Sequence, residues 1–157
     1  MKILGIDPGS HRVGYAMLVR GAKRNQIQLL EYNVIDVAAK TPSPQNLLEI
    51  RQKLADLIAY YKPEYASVEK LFFHKNSKTA GSVYEARGVI LVTLAEQGIQ
   101  ILEPTVTQIK KGITGNGNAQ KADVKQALEL ILRVELEHKL DDSWDAIAAA
   151  FVGNSMV

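Results

Sequence analysis

The sequence predicts a single α/β domain over residues 1–157, built on a mixed five-stranded sheet that is flanked by helices. The first third of the chain contains three strand-like segments, and the period of its apolar residues then changes from two to about 3.6, the period of a helix. After that change, strand-like and helix-like segments alternate, which is typical of α/β proteins. A chain of 157 residues is long enough to bury one sizeable core.

The first three strands form an N-terminal unit and are predicted over 2–7, 13–19 and 26–37. Gly21 interrupts the chain between the second strand and the third. Because strands joined by short turns usually pair in opposite directions, we expect an antiparallel meander. The first strand ends in an acid, Asp7, which is followed by the turn residues Pro8 and Gly9.

Helices and strands alternate in the rest of the chain. Apolar residues recur at intervals of three and four from Leu47 to Tyr61, which predicts a helix that Pro63 ends. A short strand over 65–69 follows and finishes on Glu69. The remaining predicted elements are a helix over 77–97, a strand over 99–102 and further helices that are broken at 112–118.

The composition excludes several classes of protein. Nineteen basic and 17 acidic side chains give a net charge of +2, which is too small to predict a polyanionic partner from charge alone. The chain has no cysteine and therefore does not depend on disulfides. No apolar run approaches the roughly 18 residues that a membrane helix requires. We therefore expect a soluble, cytoplasmic protein with no membrane partner.

Two carboxylates are predicted to meet at one edge of the sheet. A strand joined to a later strand through one helix usually lies parallel to it with a right-handed crossover. The strand over 65–69 should therefore lie beside the first strand and point the same way. Asp7 and Glu69 would then emerge together at the carboxyl ends of parallel strands, where open sheets of this kind bind their ligands.

Two further carboxylates lie where the last helix begins. Residues three apart share a helix face, so Asp142 and Asp145 point together, but Asp141 and Asp145 share a face as well. The spacing therefore does not choose between Asp141 and Asp142, and one of the two can serve simply as a helix cap.

Each of these acids has a simpler explanation when it is taken singly. Asp-Pro-Gly is often only a turn, a glutamate at a strand end can be solvated, and acids in a first helical turn are favoured by the helix dipole. Together in one crevice, however, the acids would repel each other unless a divalent cation neutralised them. Carboxylate oxygens suit Mg²⁺ or Mn²⁺, and without cysteine there is no thiolate site for zinc. The set suggests a metal-dependent nuclease.

Four motifs follow one another along nearly the whole chain: ILGIDPGS at 3–10 with VGY at 13–15, VEKLFFHKN at 68–76, EARG at 85–88, and DSWDA at 142–146. In this order they resemble the motifs of the RuvC family of Holliday-junction resolvases. The resemblance implies a ribonuclease H-like fold, which agrees with the order of strands and helices above. Lys70 is a departure, since many relatives have glutamine there.

The resemblance also implies an activity. It makes Asp7, Glu69, Asp142 and Asp145 the catalytic, metal-binding acids, and so favours Asp142 over Asp141. The implied reaction is hydrolysis of phosphodiesters with two Mg²⁺ ions per active site, for which Mn²⁺ substitutes, leaving a 5′-phosphate and a 3′-hydroxyl at each nick. The implied substrate is a four-way DNA junction, which paired symmetric nicks resolve in homologous recombination and DNA repair.

Basic and aromatic side chains near the acids are candidate DNA contacts, because cations neutralise phosphates and aromatic rings stack on bases. Phe72 matches a family aromatic that stacks at the junction centre, although Phe73 competes with it for this role. The resemblance implies that Lys110 and Lys121 contact phosphates or the transition state. The complete predicted set of DNA contacts is Phe72, Lys75, Arg87, Lys110 and Lys121.

The helix predicted over 77–97 is a candidate dimer contact. It contains small residues that would let another backbone approach closely, although the same residues could instead pack against the domain's own sheet: Ala80, Gly81, Ala86 and Gly88. The resemblance implies a homodimer, because one subunit supplies one active site and two nicks resolve one junction. It also associates the family with a branch-migration helicase.

Three other functions compete with this interpretation. Actin-like ATPases and sugar kinases begin with a similar strand, aspartate and glycine turn, but their cleft lies between two such domains and this chain supplies one. A smaller resolvase-like nuclease family, which acts in ribosomal RNA processing, shares the opening motif but not the segment 69–76, and it is the main alternative. A protein that binds junctions without cutting them disagrees with the intact set of acids.

Overall fold

The computed structural model describes residues 1–23, 26–72, 80–138 and 141–157. Within them the chain forms a five-stranded sheet and five helices. In chain order these elements are β1 (Lys2–Asp7), β2 (Arg12–Arg20), β3 (Ile27–Asp36), α1 (Gln45–Tyr61), β4 (Tyr65–Val68), α2 (Ala80–Glu96), β5 (Gln100–Leu102), α3 (Val106–Thr114), α4 (Lys121–Leu132) and α5 (Asp141–Ser155). None of the helices in the described ranges is long and apolar enough to span a membrane.

The sheet is mixed, as the sequence predicts, and its strands lie in the order β3-β2-β1-β4-β5. The first three strands form the expected antiparallel meander. β4 lies parallel to β1, and β5 lies parallel to β4. The connection through α1 therefore returns the chain to the side of β1, which confirms the predicted strand–helix–strand crossover.

Helices cover both faces of the sheet because successive residues of a strand point to opposite sides. On one face, Leu4 and Ile6 of β1 share a buried core with residues of α1 and α2, including Leu54 and Ile90. On the other face, α3, α4 and α5 build a second core that contains Trp144. Of the periodic apolar residues that predicted α1, three are buried in the first core, namely Ile50, Leu54 and Ile58, and the other three pack against it while partly buried.

The helix α5 lies unusually close to the sheet. A Cβ atom added to Gly5 would stand 1.9 Å from the carbonyl oxygen of Ala146, and one added to Gly14 would stand 2.1 Å from the carbonyl oxygen of Asp142. Any larger residue at these two strand positions would have to push the helix away. Glycine therefore sets the distance between the first turns of α5 and the strands β1 and β2.

The predicted break at 112–118 is wrong in its starting point. Gly112 lies inside α3, which continues to Thr114, and the helix ends at Gly115 with a φ of +78°. In this left-handed conformation glycine is favoured because it has no Cβ atom. β1 is observed over the residues predicted for it, and the other predicted elements differ from those observed by a few residues at their ends. The predicted helix start at 77–79 lies outside the described residues.

Candidate active site

Asp7 and Glu69 lie side by side at one edge of the sheet. Asp7 is the last residue of β1, and Glu69 directly follows Val68, the last residue of β4. The two strands are parallel, and Ile6 stands in register with Val68. The amide of Glu69 extends this pairing by donating a hydrogen bond to the carbonyl oxygen of Ile6 at 3.4 Å. The shared edge predicted for these two acids is confirmed.

The helix α5 brings two further acids to this edge. Gly14 stands opposite Asp7 in the pairing of β1 with β2, and the main chain of Asp142 packs directly against Gly14. Asp145 lies one turn further along the same side of the helix. The charges of Asp142 and Asp145 both act on Asp7, as does that of Glu69. The fold thus gathers the four predicted acids around the carboxyl end of β1.

Burial and crowding make the carboxylates of Asp7 and Glu69 hard to ionise. Burial, followed by the charges of Asp145 and Glu69, raises the pKa of Asp7 from 3.8 to about 8. The pKa of Glu69 is also raised, first by burial and then by the charge of Asp145, against the opposing effect of Lys110 and Lys121. Acids with raised pKa values that crowd one cleft are typical of functional sites.

Two basic side chains bind the acids of α5. Lys121, at the start of α4, donates a hydrogen bond from its ammonium to Asp145 at 2.9 Å. Burial disfavours the charge of Lys121, but this bond and the attraction of Asp145, Asp141 and Asp7 together outweigh burial and raise its pKa. Arg12, at the start of β2, donates from Nε to the carboxylate of Asp142 at 2.7 Å. Sequence reasoning missed Arg12, although a basic residue just after the Asp7 turn was a visible signal.

The surroundings of Asp141 and Asp142 differ. The carboxylate of Asp142 is bound by Arg12, and its charge contributes to the raised pKa of Asp7. The charge of Asp141 acts instead on Lys121, whose pKa it helps to raise. Of the two neighbours, Asp142 is therefore the one whose charge bears on the acid at the end of β1, and this favours the choice that the resemblance implies.

The donor set of the site fits a hard divalent cation. It offers carboxylate oxygens, and the burial of Asp7 and Glu69 makes an added positive charge favourable. Within the described part of the chain, however, no three acidic or imidazole side chains are grouped closely enough to hold one metal ion. Two of the four acids, Asp142 and Asp145, are engaged instead by ion pairs with Arg12 and Lys121.

The residues predicted to contact DNA have different surroundings. Phe72 follows Glu69 by three residues, and 58% of its surface is exposed. Lys110 and Lys121 lie near enough to Glu69 for their charges to oppose the rise of its pKa. Lys75, together with the competing aromatic Phe73, lies outside the described residues.

Arg87 differs from the other predicted DNA contacts. Only 13% of its side chain is exposed. Its Nε donates a hydrogen bond to the carbonyl oxygen of Glu69 at 3.2 Å, and its terminal nitrogen pairs with the carboxylate of Glu103. The guanidinium is therefore engaged inside the protein, next to a predicted catalytic acid.

The sheet order, together with acids at the carboxyl ends of β1 and β4 and on the helix that crosses them, defines a ribonuclease H-like nuclease. A family model described as crossover junction endodeoxyribonuclease RuvC matches residues 3–153. The RuvC protein of Petrotoga mobilis is 46% identical over 96% of this chain and 91% of its own length. That of Synechococcus sp. WH7803 is 41% identical over 98% and 97%. The chain belongs to the RuvC family of crossover junction endodeoxyribonucleases.

Solved structures agree with this membership. Thermus thermophilus RuvC in complex with Holliday junction substrate superposes with a TM-score of 0.86 and 27% identity, covering 97% of this chain and 92% of that one. The yeast mitochondrial Holliday junction resolvase Ydc2 shares the fold, with a TM-score of 0.71, 13% identity, and coverage of 97% and 77%. The family model and the curated relatives are crossover junction endodeoxyribonucleases, and they give the ribosomal RNA alternative no support.

Proposed function

We propose that the protein cuts four-way DNA junctions by Mg²⁺-dependent hydrolysis, placing paired symmetric nicks that each carry a 5′-phosphate and a 3′-hydroxyl. The observation that carries this proposal is the convergence of Asp7, Glu69, Asp142 and Asp145 on one edge of the sheet, where the pKa of Asp7 rises to about 8. Carboxylates held this close can bind the divalent cations that phosphodiester hydrolysis uses, and so bring the cations and the phosphate together.

We propose that these four acids hold two Mg²⁺ ions per active site and that Mn²⁺ substitutes. When bound, such ions activate the attacking water and stabilise the leaving oxygen of a phosphodiester. Asp142 and Asp145 would exchange their bonds to Arg12 and Lys121 for bonds to metal. The side chains of Arg12 and Lys121 would then face the crevice, where they could neutralise the phosphates of a DNA strand.

Lys110 and Lys121 are proposed as phosphate contacts. Both act electrostatically on Glu69, so both lie beside the proposed reaction centre. Phe72 is proposed to stack on an unpaired base at the junction centre, because it is largely exposed and follows the catalytic edge closely. Lys75 keeps its proposed role as a DNA contact on the family resemblance alone.

A homodimer is proposed through one face of α2. A Cβ atom added to Gly81 or Gly88 would meet nothing within 4 Å in the described part of the chain, so this face is open. Val92, on the same helix, is 57% exposed, and an apolar groove of about 420 Å³ runs beside it, lined in part by Leu47 and Tyr84. Ala86, by contrast, is fully buried in this chain's own core. Of the small residues on α2, Ala86 is thus used by the domain's own core, and Gly81 and Gly88 support the proposed dimer contact because the space beside them is open.

The cellular setting is proposed from the family alone. We expect the protein to act in the cytoplasm and to work with a branch-migration helicase complex. No surface of the described residues identifies where such a complex would dock, so this expectation is tested by co-purification rather than by mutation.

The proposal is tested with a labelled synthetic four-way junction and a linear duplex of the same sequence, incubated with the protein in Mg²⁺. Paired nicks in the junction but not in the duplex are expected, with ends that a ligase reseals because they carry a 5′-phosphate and a 3′-hydroxyl. Asp7→Asn should lower the cleavage rate by several orders of magnitude while junction binding persists.

Two results would contradict the proposal. Tight junction binding without cleavage, across several junction sequences and with both Mg²⁺ and Mn²⁺, would indicate a recognition protein. Cleavage of junction and duplex at equal rates would indicate a nuclease without structural selectivity.

A further inference from the structure

We propose that Arg87 is a positioning residue that holds Glu69 in place, and that it does not contact DNA. This inference rests on the proposed function of the Glu69 site. Its basis is a pair of contacts: Arg87 Nε donates to the Glu69 carbonyl oxygen at 3.2 Å, and the terminal nitrogen of the same guanidinium pairs with Glu103. One side chain of α2 thus links the end of β4 to the residue that follows β5.

Glu69 needs such support because it lies just beyond the regular sheet. β4 ends at Val68, and the amide of Glu69 reaches the carbonyl oxygen of Ile6 only at 3.4 Å, which is long for a hydrogen bond. The next amide, that of Lys70, donates to the carbonyl oxygen of Pro104 at 2.9 Å. Arg87 binds the carbonyl group between these two amides. It therefore fixes the peptide that joins the acid to the following segment.

The position of Arg87 on α2 explains why the guanidinium points inward. Ile90 and Leu94 are fully buried, and they lie three and seven residues after Arg87, on the same side of the helix. The fold tolerates an arginine on this inward side only when its donors are hydrogen-bonded within the protein, because an unpaired buried charge is costly. With 13% of its surface exposed, Arg87 offers little of its charge to a phosphate.

Arginine suits this role because its planar group donates in two fixed directions, whereas lysine is a point charge. Arg87→Lys would keep the charge but could not serve Glu69 and Glu103 in the same geometry. A phosphate contact would tolerate this change far better, since lysine also binds phosphate. The conservative substitution therefore separates the two roles.

The test compares Arg87→Lys, Arg87→Gln and Glu103→Gln with the wild-type protein. Three quantities are measured for each: the kcat and KM for junction cleavage, the Mg²⁺ concentration that gives half of the maximal rate, and the dependence of junction affinity on salt in EDTA. Calorimetric titration with Mn²⁺ in the absence of DNA adds a readout that does not depend on cleavage. The melting temperature of each variant defines the temperatures at which it is folded and can be compared with the wild type.

Positioning of Glu69 predicts a kcat that falls roughly 10- to 100-fold in both Arg87 variants, with weaker Mg²⁺ and Mn²⁺ binding, as for other groups that orient metal ligands. KM and the salt dependence of junction affinity should stay at wild-type values. Glu103→Gln should act in the same direction but less strongly, because Glu69 keeps its bond to Arg87.

Two control variants calibrate the measurements. Lys2→Gln removes a cation that also donates to a main-chain carbonyl, that of Tyr61 at 2.9 Å, but at the opposite end of β1 from Asp7. It should leave kcat and metal affinity unchanged. Lys110→Gln removes a proposed phosphate contact and should reduce the slope of log affinity against log salt by about one.

Three results would overturn the inference. One is a reduced salt slope in Arg87→Gln that lysine restores, which would identify a phosphate contact. Another is a lowered melting temperature with wild-type kcat and metal affinity at temperatures where the variants are folded. The third is wild-type behaviour of all three variants, which would leave the proposed function standing. Failure of the wild-type protein to cut junctions would refute the proposed function and this inference together.

Discussion

Asp7 has the most strongly perturbed environment described for an acid of this chain. Its carboxylate ends the central strand, it is largely withdrawn from water, and three other acids act on it. In the absence of metal, ionising Asp7 therefore opposes folding. The proton that a solvent-exposed aspartate would release near pH 4 is kept by the folded protein up to about pH 8.

The stability of the metal-free protein should reflect this shift. Because the folded-state pKa of Asp7 is raised above its unfolded value, the folded chain binds more protons between about pH 4 and pH 8, and the Asp7 contribution to the free energy of unfolding falls as pH rises through that window. Asp7→Asn should remove this contribution. Melting in EDTA at pH 5 and pH 8 should show a smaller difference for the variant, which is expected to be as stable as the wild type or more stable at pH 8.

The same melting experiment in Mg²⁺ is the matched condition to the one in EDTA. Binding to the folded state should raise the melting temperature of the wild type and should raise that of Asp7→Asn less, because one of the proposed ligands is lost. A large loss of stability in the metal-free variant at both pH values would instead mark Asp7 as a structural residue.

Phe72 is expected to contribute to junction binding and not to folding. Phe72→Ala should weaken junction affinity roughly fivefold to a hundredfold, as the loss of one stacked base would, and should leave the melting temperature unchanged because the ring is exposed. Phe72→Trp should retain affinity. Tyr60→Ala is the matched control, since Tyr60 is an exposed aromatic residue on α1. Unchanged affinity in Phe72→Ala would leave Phe73 as the remaining aromatic candidate.

Among the helices, α5 does most to assemble the site, because it carries two of the acids and packs closely on β1 and β2. Its alanines at 146 and 148–150 are fully buried, and small side chains permit this approach. The position of its first turn depends on Gly14, where an added Cβ atom would stand 2.1 Å from the Asp142 carbonyl oxygen.

Gly14→Ala should therefore damage activity and stability together. Overpacking of this kind costs about 1–3 kcal/mol, and the displaced turn should move Asp142 and lower the cleavage rate at least tenfold. Gly112→Ala is the control, because the nearest atom to its Cβ atom would be a methyl group of Val152, at 2.9 Å, and not the main chain of α5. That variant should keep its cleavage rate. Wild-type cleavage by Gly14→Ala would show that the first turn of α5 tolerates movement.

For the whole molecule, the proposed dimer makes a direct prediction. Val92→Lys places a charge on the open face of α2 and should convert the protein from two chains to one in a light-scattering measurement after size exclusion. Leu130→Lys adds the same charge at an exposed apolar site on α4 and should leave the dimer intact. In the monomeric variant, paired nicks should become single, uncoupled nicks. A wild-type mass of one chain would refute the proposed dimer.

The elements of the fold followed from local sequence, because alternation and three-to-four spacing of apolar residues depend on neighbours along the chain. The preference of strand–helix–strand units for a right-handed parallel crossover also predicted that Asp7 and Glu69 meet. The structure brings these two acids together at the predicted edge. The choice of Asp142 over Asp141 came from the family resemblance, because either residue lies at a spacing that places it on the same helix face as Asp145.

The ion pairs of the site could not be obtained in this way. Arg12 meets Asp142 across 130 positions, and Lys121 meets Asp145 across 24. Which partners meet depends on how closely α5 rests on the strands and on where α4 begins. The sequence presented Arg87 as part of the motif EARG and as a candidate DNA contact. Its two partners inside the protein became visible once β4, β5 and α2 were packed. Periodicity determines which face of an element is buried, whereas the distances between faces arise only when the elements pack together.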